Sequence, residues 1–270
     1  MSENLHANYL GARVRSVKRD GLYFHLDIEL PPLAQAEPGQ FIMLGPGEVD
    51  SQPDDPLLMR PMSVLAHEAE RMEILFARVG RVTSTFAAAS PGDSLRLLGP
   101  LGKPFTQAAS PLPILVGGGA GVPPLCYLSN RLGAAGIAHR LLLGFNRADD
   151  VPRDVLATLI SEPEIFTMDG GLGREGHPVA ALADDREDGR IQACGPPAML
   201  DALKRVRREG EPMELSLEER MACGMGFCRG CVTPVKDGDA WRYASICRQG
   251  PVFDVDDLAE LDEKGEVCHG

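Results

Sequence analysis

The stretch LEERMACGMGFCRGC, residues 217–231, decides the reading of this sequence. It holds Cys223, Cys228 and Cys231 at Cys-x4-Cys-x2-Cys spacing. A fourth cysteine, Cys247, follows in ICRQGPVF, residues 246–253. That is the plant-type pattern of a 2Fe–2S cluster, with three ligands in one loop and the fourth further on. Gly224, Gly226 and Gly230 let the backbone wrap closely around a cluster and turn amide hydrogens toward sulfur. A structural zinc ion also takes four thiolates. Zinc knuckles usually pair two Cys-x2–4-Cys turns, however, and here the fourth cysteine stands alone. The remaining alternative is a set of unligated thiols. The chain has 7 cysteines, an odd number, and its start (MSENLHANYL) has no basic, apolar leader. A disulfide framework is therefore a poor fit, and a reducing compartment, the cytoplasm, is expected.

Outward from the cluster loop, residues 211–270 are rich in Gly, Asp and Glu and thin in apolar residues, so a metal centre would serve as a staple. Residues 104–210 alternate between strand and helix patterns. Strands are expected at 114–116, 140–143, 165–168 and 190–193. Helices are expected at 123–132, 151–160, 179–183 and 198–208. This order implies a doubly wound parallel sheet with helices on both faces. Residues 1–103 read as short strands. Phe24, Leu26, Ile28 and Leu30 alternate with His25, Asp27 and Glu29, and Gly-Pro pairs punctuate the segment. Further strands at 14–17, 41–44, 63–65, 72–77 and 94–98, with one short helix near 82–89, suggest a small antiparallel barrel. The fold class is thus a β-barrel plus α/β, in three units: 1–103, 104–210 and 211–270.

Composition bounds the function. Of 270 residues, 39 are acidic and 27 basic, a net charge of −12. Such a chain repels phosphate backbones and anionic lipid, which argues against nucleic-acid and membrane-surface roles. No run of about 20 residues is apolar enough to span a bilayer.

Several smaller motifs sit where strands end. Gly118, Gly119, Ala120 and Gly121 follow a strand and precede a helix, a context in which backbone amides hold a pyrophosphate. The glycines do not form a clean Gly-x-Gly-x-x-Gly, and a tight structural turn is the competing reading. Cys194, Gly195 and Pro196 also end a strand and open a helix, at the edge where open α/β sheets bind ligands. A buried structural thiol is the plainer alternative for Cys194. Arg60, Pro61, Met62 and Ser63 begin a barrel strand, with a donor fork for phosphate and a hydroxyl for a ring heteroatom, although an exposed arginine before an edge strand is the plainer reading of these four residues alone. Gly80, Val82, Thr83 and Ser84 could open the short helix, with a hydroxyl as cap and a helix start that attracts phosphate; an ordinary turn is the plainer alternative. Cys126 reads as core. Cys268 and His269 read as part of a frayed terminus.

Taken in order, barrel, RPMS, GGGAG, CGPP and four-cysteine loop resemble the ferredoxin reductase superfamily. The placement of the cluster motif at the C-terminal end, with LEERMACGMGFCRGC and ICRQGPVF, narrows this. Nearly the whole chain resembles the electron transfer subunits of the NAD-dependent, two-subunit dihydroorotate dehydrogenases. The resemblance implies an FAD-binding barrel, an NAD-binding α/β domain and a small 2Fe–2S domain. It would put Arg60 on the FAD pyrophosphate and Ser63 near the isoalloxazine, with Pro61 and Met62 shaping the turn. Gly80, Val82, Thr83 and Ser84 stand at a second phosphate turn, with Val82 where the family often has glycine. Gly118 to Gly121, with Cys194, Gly195 and Pro196, would form the site for NAD(H) as substrate, Cys194 near the nicotinamide. Asp169 to Gly173 and Gly144 to Arg147 would also face the nucleotide. Cys223, Cys228, Cys231 and Cys247 would hold the cluster. No separate acid–base residue is required, because hydride transfer depends on how the two rings are positioned. The implied partner is an FMN-containing catalytic subunit in pyrimidine biosynthesis, in an assembly of α2β2 type. Rival expectations are a reductase subunit of a sulfhydrogenase or ferredoxin–NADP oxidoreductase complex, and a zinc-stapled binding module without enzymatic activity.

Overall fold

The computed structural model describes residues 8–49, 58–184 and 188–259. The barrel is built from β1 (Asn8–Asp20), β2 (Tyr23–Glu29), β3 (Phe41–Pro46), β4 (Arg60–Glu68), β5 (Arg71–Ala77) and β6 (Ser94–Leu101), with α1 (Arg81–Ala87) between the last two. The strands close in the order β1-β2-β5-β4-β3-β6, all neighbours antiparallel. Closure leaves no unpaired edge for another chain to extend. The period-two pattern sets which side chains point inward. Leu26, Ile28, Val64, Met72 and Ile74 fill the barrel core, and Val82 and Phe86 of α1 join them.

The second unit adds β7 (Leu112–Gly118), α2 (Val122–Ala134), β8 (Arg140–Phe145), α3 (Arg153–Leu156), β9 (Glu164–Thr167), β10 (Arg174–Glu175), α4 (Pro178–Asp184), β11 (Gly189–Cys194), α5 (Pro197–Val206) and β12 (Met213–Ser216). Alternation along the strands feeds two cores. Ile114, Val116 and Leu142 pack with α4 and α5, whereas Leu115, Leu141 and Leu143 pack with α2 and α3. Helices therefore cover both faces, as a doubly wound sheet requires. The helix expected at 151–160 is shorter and runs only from Arg153 to Leu156. Beyond it the chain turns to bond elsewhere. The Thr158 hydroxyl donates to the Val155 carbonyl at 2.7 Å, and the Ile160 amide to Asn130 Oδ1 at 2.9 Å.

The cysteine-bearing segment contributes β13 (Val232–Asp237), β14 (Ala240–Ser245), α6 (Ile246–Gln249) and β15 (Val252–Asp254). β13 and β14 form a separate hairpin. β15 instead pairs antiparallel with β12, completing a seven-stranded sheet of order β10-β9-β8-β7-β11-β12-β15. The cysteine-bearing segment is thus tied to the seven-stranded sheet at both of its ends. No helix among the described residues is long and apolar enough to cross a membrane.

Barrel and sheet are locked together by polar contacts, two of them buried. Asp20, itself buried, accepts the Val155 amide at 2.9 Å and so caps the start of α3. The Leu22 amide donates to the Asp150 carbonyl at 3.2 Å. The Tyr127 hydroxyl on α2 donates to the Ala36 carbonyl at 2.6 Å. On the barrel exterior, Glu73 takes a 2.7 Å contact from His25 and a 2.9 Å contact from Arg71.

Asp20→Ala should destabilise the fold by about 1 kcal/mol, the usual cost of a lost helix cap, measurable by chemical denaturation. The His25 hydrogen bond, aided by both cations, holds the Glu73 carboxyl below its ordinary range despite partial burial. A folded-state value below the unfolded one contributes stability above the unfolded value, which is lost as pH falls. Glu73→Gln should therefore lower stability modestly at neutral pH, flatten the acid side of the stability–pH curve, and converge with the parent at low pH.

Candidate redox and nucleotide site

Two glycine-bearing strand ends meet at the centre of the parallel sheet. β7 and β11 lie side by side, with Val116 opposite Ala193 and Gly117 opposite Cys194. The chain after β7 turns through a short 3-10 segment, Gly119–Gly121, into α2. A side chain at Gly121 would collide with the Cys194 carbonyl, and one at Gly118 would press on the Met199 sulfur and touch Pro196. The GGGAG and CGPP motifs are therefore one structural unit in which backbone approaches backbone. It bears Gly118, Gly119, Ala120 and Gly121 on one side and Cys194, Gly195 and Pro196 on the other. Two helix starts open beside it, at α2 and α5, the arrangement that suits an anionic ligand.

Two residues that the sequence motifs did not single out complete this crevice. Tyr23, a buried barrel residue, donates its hydroxyl to the Gly119 carbonyl at 2.9 Å. Burial, with Asp150 nearby, pushes the phenol well above its ordinary range, so it stays a donor. Glu218 accepts from the buried Cys194 thiol, Sγ to Oε1 3.7 Å. Solvent reaches Glu218, yet enough protein surrounds its carboxyl that desolvation raises its pKa. Burial first, and Glu218 second, raise the Cys194 thiol. Tyr23 carried no sequence signal beyond strand pattern. Glu218 stood inside the quoted LEERMAC stretch, but only the fold shows that it faces Cys194.

The neighbouring strand ends also come together. Asp169 accepts the Gly171 amide at 3.1 Å and the Ala148 amide at 3.2 Å, which joins the DGGLG turn to the loop after Gly144-Phe145-Asn146-Arg147. These amides, Gly171 first, hold the exposed Asp169 carboxyl below its usual range.

On the barrel, Arg60 to Ser63 begin β4 and pair with β3, Met43 opposite Pro61 and Phe41 opposite Ser63. The Arg60 guanidinium donates to the Leu58 carbonyl at 2.8 Å and meets no carboxylate among the described residues. Met62 points into the barrel core. So does Val82, which answers why a valine is tolerated at the start of α1: its side chain fills the core. Thr83 is used inside the turn. Its hydroxyl accepts the Gly80 amide at 2.9 Å and donates to the Gly80 carbonyl at 3.0 Å. Ser84 is exposed beside it.

The cysteine loop leaves the end of β12 and passes directly under the barrel. Gly224, at φ 70°, has no room for a side chain, since a Cβ would lie 2.6 Å from Met43 Cγ. The amides of the loop turn onto sulfur. Gly226 N–H donates to Cys247 Sγ at 3.1 Å, and Met225 and Cys228 N–H donate to Cys223 Sγ at 3.4 and 3.5 Å. Burial opposes ionisation of Cys223, but these amides and the Cys228 thiol bring it down to about 7. Burial and the Cys231 thiol push Cys247 up to about 12. The four thiols fall into two contacting pairs, Cys223 with Cys228 and Cys231 with Cys247. Among the described residues no three His, Cys, Asp or Glu side chains converge as ligands of a single ion. Two thiol pairs with inward-turned amides match the donor set of a two-iron cluster, so the residues present fit that group. Cys126 is fully buried in the core. Cys268 and His269 lie outside the described residues.

The pairs differ in access. Cys228 is exposed and Cys223 half-buried, whereas Cys231, Cys247, Cys126 and Cys194 are buried. In cluster-free protein, a brief pulse of alkylating reagent should modify Cys228 and Cys223 first and leave Cys126 and Cys194 untouched until unfolding. Peptide mass spectrometry reads this order directly.

Comparison with known proteins agrees with this geometry. Residues 218–259 match the family described as the iron–sulfur cluster binding domain of dihydroorotate dehydrogenase B. The chain is 37% identical over 233 residues to "Dihydroorotate dehydrogenase B (NAD(+)), electron transfer subunit" of Listeria monocytogenes serotype 4a, covering 84% of this chain and 89% of that one. It is 38% identical over 223 residues to the protein of the same name in Geobacillus thermodenitrificans, covering 80% and 84%. Among solved structures, a chain of an NADH-dependent reduced ferredoxin–NADP oxidoreductase superposes with a TM-score of 0.77 at 22% identity, covering 91% and 88%. Phthalate dioxygenase reductase superposes with a TM-score of 0.62 at 17% identity, covering 89% and 78%. These two structures share the fold. With relatives this similar over most of both chains, the chain belongs to the family of electron transfer subunits of dihydroorotate dehydrogenase B (NAD(+)).

Proposed function

We propose that this chain oxidises NADH and passes the electrons, through FAD and then a 2Fe–2S cluster, to an FMN-containing dihydroorotate dehydrogenase catalytic subunit in the cytoplasm. Bound FAD and cluster would supply the conversion between two-electron and one-electron transfer. The observation that carries the reading is a shared junction. The cluster loop starts at the end of β12, beside the Cys194 crevice on β11, and its Gly224 rests on Met43, directly across from Pro61 of the RPMS strand.

Each unit has its own task in this reading, with boundaries near residues 103 and 210. The barrel holds FAD. Arg60, which meets no carboxylate among the described residues, binds the pyrophosphate, Ser63 serves the ring edge, and Gly80, Val82, Thr83 and Ser84 keep the second turn in shape. The backbone amides of Gly118, Gly119, Ala120 and Gly121 hold the nucleotide phosphates, while Cys194, Gly195 and Pro196 bound the nicotinamide. Tyr23 ties the Gly119 carbonyl to the barrel, so the nucleotide loop and the flavin strand keep one relative position. Such positioning is the main demand of hydride transfer. Cys223, Cys228, Cys231 and Cys247 hold the cluster at the surface.

The test is an anaerobic NADH titration of freshly isolated protein followed in the visible range. Flavin bands and an iron–sulfur shoulder should both bleach, and iron should be accompanied by acid-labile sulfide. A colourless protein that holds zinc and ignores NADH would sink the proposal. Cys228→Ser should lower electron delivery to the catalytic subunit at least tenfold, on the order of 1.4 kcal/mol or more in barrier terms. NADH-dependent reduction of the flavin should persist in that variant.

A further inference from the structure

The cluster loop carries an apolar side chain where a soluble surface would normally be polar. Phe227 is 77% exposed. A single exposed apolar residue is ordinary, but the setting of this one is not. It directly precedes Cys228, itself exposed, and the run from Phe227 to Gly230 lies open to solvent. Arg229 follows, held at φ 53°, a left-handed conformation in which glycine would sit more easily. The chain therefore keeps a large cation at a position that disfavours one. Arg248 packs its stem over Gly226, 3.1 Å from where a Cβ would lie, and is exposed at its end. Neither arginine forms an ion pair among the described residues.

Charge makes the patch distinctive. The chain as a whole is acidic, net −12, yet residues 220–231 and 246–253 hold three arginines and no Asp or Glu. An aromatic anchor with unpaired arginines beside it is the composition that dominates protein–protein hot spots.

We infer that Phe227, flanked by Arg229 and Arg248, is the docking knob through which this chain seats on its catalytic subunit, entering an apolar pocket rimmed by carboxylates. The inference rests on the electron-transfer reading above and adds the contact chemistry of the partner. It places the more accessible thiol pair, exposed Cys228 with half-buried Cys223, on the side that would face the partner. The buried pair then faces inward. The arginines guide encounter, because complementary charge acts mainly on association rate, and the buried aromatic sets residence time. The competing role for the arginines is to offset the negative charge of the cluster itself.

The experiment measures binding kinetics of the flavin- and cluster-loaded chain on the immobilised catalytic subunit, at low and high salt. Phe227→Ala should raise Kd about thirtyfold, mostly through faster dissociation, and Phe227→Leu should recover part of the loss. Arg229→Gln combined with Arg248→Gln should slow association about tenfold at low salt and flatten its salt dependence. Cluster spectrum and NADH reduction of the flavin should be unchanged in all three variants. Phe227→Ala binding within about twofold of the parent would overturn the inference, since hot-spot truncations cost far more. So would a double arginine variant that shifts the cluster's reduction potential while leaving association as it was. Failure of the electron-transfer reading itself would show in the parent protein, as absent cluster bands or no response to NADH.

Discussion

The contact between Gly224 and Met43 is the constraint on which the rest of the arrangement turns. Any side chain at residue 224 would occupy the space of the Met43 side chain. Because there is none, the cluster loop lies against strand β3, one strand away from Arg60-Pro61-Met62-Ser63. The loop is held there from both sides. The Leu217 amide donates to the Pro251 carbonyl at 2.9 Å, and the Lys103 amide to the Gly250 carbonyl at 2.6 Å. The segment before the cluster and the segment after it are thereby bonded to each other and to the end of the barrel. A small unit with little core of its own is made rigid by its neighbours.

The same device recurs at the crevice between β7 and β11, the proposed nucleotide site. Gly121 allows α2 to begin against the backbone of Cys194, and Tyr23 reaches from the barrel to fix the Gly119 carbonyl. Asp20 ties the β1–β2 turn to α3. Each junction uses a close backbone approach or a buried hydrogen bond with a single geometry, rather than apolar contact that could slide. Preorganisation of this kind suits a protein whose chemistry is the placement of redox groups. Glu218 then links the crevice to the cluster loop in sequence and in space, since it touches Cys194 and lies five residues before Cys223.

Much of this was legible in the chain itself. The barrel strands, the alternation of strand and helix, and the four-cysteine loop follow from period-two patterning, Gly-Pro punctuation and ligand spacing. The helix at 151–160 was over-read because its apolar pattern continues past Leu156, whereas Thr158 and Ile160 find better partners in the turn and on α2. The join of β15 to β12 was not legible. Three residues, Val252 to Asp254, are too few for a pattern, and their pairing partner lies in another unit of the chain.

The sequence by itself determined which groups are present: four thiols at cluster spacing, glycines at two strand ends, and an arginine ahead of a barrel strand. These are local facts, encoded by residue type and separation along the chain. Only the tertiary structure decided which of them meet. It set Cys194 against Glu218, Tyr23 against Gly119, and Gly224 against Met43, and it left Phe227 uncovered beside Cys228. Those relations depend on packing between segments far apart in sequence. No local period or motif reports the shape of the surface that a distant segment will present.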